Sequence, residues 1–312
     1  MIRLLYLLFV VTVSVLSQLP NPVFAQSADW RNQIGTFRIG LIGSSSKKKD
    51  LARLRPFKEL LQKELSMPVE IFLARDFTTL IQAQVSSRIE YAIFSSTAYA
   101  TAWTLCECVS PLVSPLAEDG SRGFSSVLIS RRSLGLKLTT LKNRTVLAGH
   151  EESFAAHQFP KGILRNEGID WEKIGWKLEI AKTSEQSLNR FADGEVDAFF
   201  GWQPSQGAPE KQPVSGTVAR LRNFRQNIAD DLDILWRSPS VPYGVHSVRT
   251  SLAGEAQDIL LALMLTLREQ NPGIYKIVEP TYSGGFTQSE QEDFAAVIDY
   301  IEGIKKEPRQ SN

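Results

Sequence analysis

The side chains best suited to chemistry in this chain are hydroxyls gathered at the ends of apolar runs. Ser44-Ser45-Ser46 follows Phe37 to Gly43, and Ser95-Ser96-Thr97 follows Tyr91 to Phe94. Gly149-His150-Glu151-Glu152-Ser153 follows Thr145 to Ala148, and Thr183-Ser184-Glu185 follows Trp176 to Ala181. A helix start exposes backbone N–H groups and the positive end of the helix dipole. Hydroxyls add donors without burying a charge. Together they suit an oxyanion that is held rather than transformed. Each cluster also has a plainer reading, because Ser and Thr are favoured as helix N-caps. Trp202 and Tyr243 are either walls of an organic-ligand site or core side chains.

Catalysis asks for an activated nucleophile, a metal or an acid–base pair. His150 and His157 are seven residues apart, which is not the one-turn spacing of a His-Glu-x-x-His zinc helix. His246 stands alone on an apolar run, and no G-x-S-x-G, Walker A or G-x-G-x-x-G sequence is present. The chain therefore does not read as an enzyme, and no cofactor or metal is implied. Cys106 and Cys108 have no neighbouring His and make a poor zinc pair. Export would permit a disulfide, but a Cys-x-Cys ring is very tight, so two small, partly buried thiols are the expectation.

The elements that must carry these clusters alternate. Strands are predicted at 37–43, 69–73, 91–94, 124–130, 145–149, 176–181, 196–200, 233–236 and 243–248. Leu51, Leu54, Phe57, Leu60 and Leu61 recur at helical spacing, and Asp76 has the place of an N-cap. Ser153 to Asn166 reads as a helix stopped near Gly168, and helices over 252–269 and 288–305 close the chain. Gln203 to Gly216 reads as an exposed loop. Alternation of this kind predicts α/β architecture with parallel strands. Two βαβ-type halves stand out, near 36–104 and 145–202. The expected lobes are 36–130 with 233–312, and 131–232. A cleft between such lobes, at the carboxyl ends of their strands, is a natural ligand site.

The chain has 312 residues and a formal net charge of +1, which gives no basic excess for nucleic-acid binding. Met1-Ile2-Arg3, the apolar run Leu4 to Ser17, and Val23-Phe24-Ala25 have the layout of a secretory signal peptide over 1–25. The run is short of the roughly 20 residues of a membrane span, an uncleaved anchor being the other reading.

Several stretches, in order, resemble the phosphonate, phosphite and phosphate family of periplasmic binding proteins that serve ABC transporters. They are Tyr91-Ala92-Ile93-Phe94-Ser95-Ser96-Thr97-Ala98-Tyr99, Asp119 to Ile129, Leu141 to Val146, Gly194-Glu195-Val196-Asp197-Ala198, and Ile234 to Pro242. The resemblance implies a two-lobed, type II periplasmic binding fold that closes on a small anion in the periplasm. It implies delivery of that anion to a membrane permease, which is the only contact with the membrane, and a monomer. The same fold can instead present a ligand to a receptor kinase. The ligand residues it implies are Ser45, Phe94, Ser95, Ser96, Thr97, Ser153, Ser184, Glu185, Trp202 and Tyr243. Phe94 stands where the family often has a ligand-facing Tyr, and Phe154 and Ala155 stand in a run that is hydroxyl-rich in phosphonate binders. Fewer hydroxyls and more aromatic surface point to a ligand larger or less charged than phosphate, such as an organic phosphonate or another small organic acid.

Overall fold

A computed structural model describes residues 29–205, 215–225, 228 and 230–306. The leader and most of the predicted loop at 203–216 lie outside the described residues, although Gln203 to Ser205 extend a strand. A short helix, α1 (Trp30–Ile34), belongs to a unit of its own that ends at Gly35. Asp29 caps it by accepting from the Arg31 amide at 3.2 Å.

From Thr36 onward the chain builds two six-stranded sheets. The first half gives β1 (Phe37–Ile42), α2 (Lys47–Leu65), β2 (Val69–Ala74), α3 (Phe77–Val85), β3 (Tyr91–Phe94), α4 (Ser96–Cys106) and β4 (Val109–Pro115). The helix α2 forms because Leu54, Phe57, Leu61 and Leu65 put one apolar stripe against the sheet. The helix α3 starts where the Asp76 carboxylate accepts from the Thr79 amide at 2.7 Å. The strands β1, β2 and β3 pair in parallel, as the alternation predicts. The strand β4 was not anticipated, because Pro111 and Pro115 argue against a sheet interior. A register shift opposite Pro111, between His246 and Ser247, accommodates it.

The second sheet holds β5 (Gly123–Arg131), β6 (Thr145–Ala148), β7 (Lys177–Ile180), β8 (Ala198–Ser205), β9 (Leu232–Arg237) and β10 (Val241–Pro242). Its helices are α5 (Phe159–Asn166), α6 (Ser184–Ala192) and α7 (Gly216–Phe224), the last not foreseen. The chain then returns to the first sheet as β11 (Val245–Arg249). It ends with α8 (Gly254–Gln270), α9 (Pro272–Val278), β12 (Phe286–Gln288) and α10 (Ala295–Lys306). The first sheet has the order β12-β4-β11-β3-β1-β2, and the second runs β10-β5-β8-β6-β7 with β9 on β5. Thus β5 and β9, counted with the first lobe in the sequence reading, hydrogen-bond into the second sheet. The predicted helix 288–305 is broken into the end of β12, a 3-10 turn at Gln291–Phe294, and α10.

The chain passes between the sheets twice, at 116–122 and at 238–244. The two passages are tightly joined. A Cβ on Gly123 would lie 2.1 Å from the Val241 carbonyl oxygen, so only glycine fits there. The expected free thiols are corrected: Cys106 and Cys108 form a disulfide, with Cα atoms 5.0 Å apart. The turn of Glu107 into the left-handed region, with φ 49°, brings the two sulfurs together.

The predicted helix from Ser153 begins instead as a π-turn, Phe154–Gln158. Pro160 is the physical reason, since it has no N–H to offer the Ala156 carbonyl four residues back. That carbonyl accepts from the Gly149 amide at 2.9 Å, folding the loop back on its own helix. Helix α10 and the 3-10 turn before it connect the two halves through side chains. Phe294 packs on Tyr99 of α4 at 4.6 Å, and Tyr300 packs on Phe159 at 5.5 Å.

His246 is buried in the first sheet, with Nδ1 2.5 Å from the Tyr91 hydroxyl. Burial pushes its imidazole down from 6.5 to about 3. The unfolded chain takes up a proton that the folded chain refuses. The resulting stabilisation is full above about pH 6.5 and is lost as pH falls toward 3. Glu90 and Glu279, raised by burial, act with the opposite sign. Urea midpoints measured from about pH 7 to pH 5 should fall in the wild type and fall less in His246→Gln, which keeps the carboxylates unchanged. Equal slopes would show that His246 does not govern this window.

Candidate functional site

The carboxyl ends of the parallel strands place the hydroxyl clusters. Ser45 follows β1, Ser95 to Thr97 follow β3, Ser153 follows β6, and Ser184 and Glu185 follow β7. What differs from the sequence picture is what each hydroxyl does.

The loop after β1 already holds an anion of its own. The Asp50 carboxylate accepts from the Ser44 amide at 2.6 Å, and this bond holds its carboxyl below the usual range. Ser45 itself is exposed. In the loop after β3, Ser95 caps α4 by accepting from the Ala98 amide at 3.2 Å, and its hydroxyl lies 3.2 Å from that of Thr97. Ser96 is buried and donates to the Pro242 carbonyl at 2.5 Å. Ser114, also buried, donates to the Gly244 carbonyl at 2.7 Å and accepts from Ser289 at 2.7 Å. The second passage between the sheets is therefore pinned by one hydroxyl from the end of β3 and one from the end of β4. Phe94 is buried core.

In the second sheet, Ser153 caps the π-turn by accepting from the Ala156 amide at 3.3 Å. Ser184 accepts from Arg220 at 3.1 Å, and Glu185 is an exposed residue of the first turn of α6. Trp202 meets Phe124 edge-on at 6.2 Å, and Phe124 meets Phe154 at 6.3 Å. Tyr243 stacks on Tyr282 at 4.2 Å and shares a 3.0 Å hydrogen bond with Ser121. Burial raises both phenols, Tyr282 to about 12, so both stay neutral. Ser96 and Tyr243 thus meet at the same passage, and Ser153 adjoins the aromatic group that contains Trp202. Among the described residues, no hydrogen bond or ring contact joins Ser45, Ser184 or Glu185 to these.

A cavity of about 1310 Å³ opens at the carboxyl edges of both sheets. Ser114 and Ser289 line it from the first sheet, and Ser125, Gln203 and Arg237 from the second. Arg122 enters from the first passage, Glu292 and Asp293 from the 3-10 turn before α10, and Asp299 from α10 itself. Arg237 donates to the Gln203 side-chain carbonyl at 2.7 Å, whereas Arg122 has no side-chain partner among the described residues. None of the ten side chains named from the sequence lines this cavity. Arg122 and Arg237 do lie in stretches singled out there, at 119–129 and 234–242, but only the paired sheets show that these stretches converge. Among the described residues, no group of three or more His, Cys, Asp or Glu side chains could hold a metal ion.

The family profile for the phosphonate periplasmic substrate-binding protein of ABC transporters matches residues 39–294. The chain belongs to this family. Its members are extracytoplasmic binding proteins that work with an ABC permease, so this is a binding protein that captures a small anion for such a transporter. The structure is similar to a Xanthomonas citri protein solved with ATP, at 15% identity and TM-score 0.53, covering 87% of this chain and 98% of that one. It is also similar to transferrin 1 from Manduca sexta, at 12% identity and TM-score 0.58, covering 86% and 46%. A binding protein of a Pseudomonas aeruginosa ABC phosphonate transporter aligns at 19% identity and TM-score 0.42, covering 83% of each chain. The fold is the two-lobed periplasmic binding fold with its cleft between the lobes.

The pinned passage yields a test. Removing either buried hydroxyl leaves a buried carbonyl without its donor, which costs about 1–3 kcal/mol. Ser96→Ala and Ser114→Ala should each lower stability to urea by that order. If Ser96→Ala leaves stability unchanged, its hydroxyl does not hold the passage.

Proposed function

We propose that this member of the family captures an organic anion in the cavity between the two sheets, with Arg122 and Arg237 as its charged anchors. The observation that supports this is the convergence of two arginines on one cavity, Arg122 from the first passage and Arg237 from the end of β9, at the kind of edge where α/β sheets bind ligands. Arginine presents a planar fork of donors that matches carboxylate and phosphonate oxygens. Of the residues named from the sequence, Ser96 acts on this site only through the Pro242 carbonyl it holds, Pro242 being part of the cavity wall. Tyr243, Ser153 and Trp202 support the walls beside the cavity, Phe94 belongs to the core, and Ser45, Ser184 and Glu185 have no part in the proposed site. Lobe boundaries follow the strand pairing, with the second lobe running from the first passage to the second. The protein does no chemistry on its ligand, loses its leader near Ala25, and acts as a periplasmic monomer.

Thermal unfolding against phosphate, phosphite, methylphosphonate, sulfate and small carboxylates tests this. A ligand present at a hundred times its dissociation constant adds about 2.7 kcal/mol. Arg237→Ala, at an exposed side chain, should leave the ligand-free transition in place. It should weaken binding by about tenfold to a hundredfold, the worth of a charged hydrogen bond. Binding that survives both Arg237→Ala and Arg122→Ala would move the anion site elsewhere.

A further inference from the structure

The serines of the cavity wall are not equivalent, and the difference marks one of them as a ligand contact, on the reading that an anion is anchored there. Ser114, Ser125, Ser238 and Ser289 all line the cavity and are all buried. Three of them spend their hydroxyl protons inside the protein. Ser289 donates to Ser114 at 2.7 Å, Ser114 to the Gly244 carbonyl at 2.7 Å, and Ser238 to the Pro239 carbonyl at 2.7 Å. Ser125 is only 4% exposed, yet its hydroxyl has no hydrogen-bond partner among the described residues. A hydroxyl withdrawn from water and left unpaired costs free energy, so this one calls for a partner from outside the protein.

The sheet sets where that partner lies. Ser125 stands opposite Gln203 in the pairing of β5 with β8, and Arg237 stands opposite Val127 in the pairing of β5 with β9. Residues two apart on a strand share a face, so Ser125, Gln203 and Arg237 project into the cavity from one side of three adjacent strands. Gln203 uses its side-chain carbonyl to hold Arg237 at 2.7 Å. Arg237 keeps further N–H groups, and Ser125 adds an O–H that no described acceptor claims. We infer that Ser125 is a direct ligand contact. Its hydroxyl donates to the head group that Arg237 holds, and the head is seated across β8, β5 and β9. Ser114 and Ser289 have no proton left to give and can only accept, so the charged head does not turn to the first sheet. The next residue on β5, Ser126, also has a buried hydroxyl without a partner, but it lies on the other face of the strand and is not part of the cavity wall.

Calorimetric titration with inorganic phosphate, sulfate and methylphosphonate tests this on the wild type, Ser125→Ala, Ser126→Ala and Arg237→Ala. For the anion that the wild type binds most tightly, Ser125→Ala should weaken binding by about tenfold or more, the worth of a hydrogen bond to a charged group. The urea midpoint of ligand-free Ser125→Ala should not fall, because the hydroxyl removed leaves no partner behind. Ser126→Ala should keep wild-type affinity. Wild-type affinity in Ser125→Ala, with binding weakened in Arg237→Ala, would overturn the Ser125 contact and leave anion capture standing. Equal losses in Ser125→Ala and Ser126→Ala would also overturn it, since they would show an altered sheet rather than a lost contact. No binding by any of the three anions would overturn the anion site and this contact together.

Discussion

The carbonyl groups of Pro242 and Gly244 set the terms for the cleft. They belong to a passage that crosses between two sheets and has no continuous ladder to satisfy it. Buried carbonyls without donors are costly, so the passage needs partners from its surroundings. Ser96 and Ser114 supply them at 2.5 and 2.7 Å, and Ser289 holds Ser114 in turn. Other features fit this arrangement. Gly123 lets Val241 approach, and Ser121 shares a hydrogen bond with Tyr243 one residue beyond Pro242. The end of β3 is thereby joined to the segment about which two lobes would turn.

That use of hydroxyls changes how an anion is recognised. A site built from serines alone needs those serines free, and here the loops after β3 and β6 are closed on themselves. Pro160 widens the first turn after β6, the Gly149 amide bonds to Ala156, and the His157 ring lies 3.0 Å from the Gly149 carbonyl oxygen. Asp50 fills the loop after β1 in the same sense, as an internal carboxylate on the Ser44 amide. The proposed recognition falls instead to the ends of β8 and β9, where Gln203 and Arg237 are joined side by side.

Much of this frame was legible in the sequence. Apolar runs bounded by polar turns marked nine of the strands, because each buried strand must remove a short apolar segment from water. Caps such as Asp76 and Ser95 announced helices, because their side chains complete amides that the helix leaves open. The strand β4 was not visible, because its prolines are tolerated only through a register shift in a partner more than a hundred residues away. The site was less legible than the frame. Whether Ser96 faces a ligand or a carbonyl depends on where Pro242 lies, and nothing local encodes that. Arg122 and Arg237 are ordinary exposed arginines by type and spacing. Their meaning comes from the antiparallel pairing of β5 with β9, which brings residues 127 and 237 into register.

The mixed charge of the cavity is consistent with a carrier that must choose among anions. Two arginines alone would attract any compact oxyanion, and inorganic phosphate and sulfate would compete through the same bidentate contacts. Carboxylates opposite them raise the cost for an ion that brings charge and no donors. They cost little to a ligand whose far end donates hydrogen bonds to them. Discrimination then arises from repulsion of the wrong ligand as much as from attraction of the right one. All five charged groups are exposed in the present conformation. Water therefore weakens both effects while the cavity is open, and both strengthen as lobe closure excludes it. Selection on this layout is sharpest at the closing step, which makes the pinned passage at Pro242 and Gly244 part of specificity as well as of architecture.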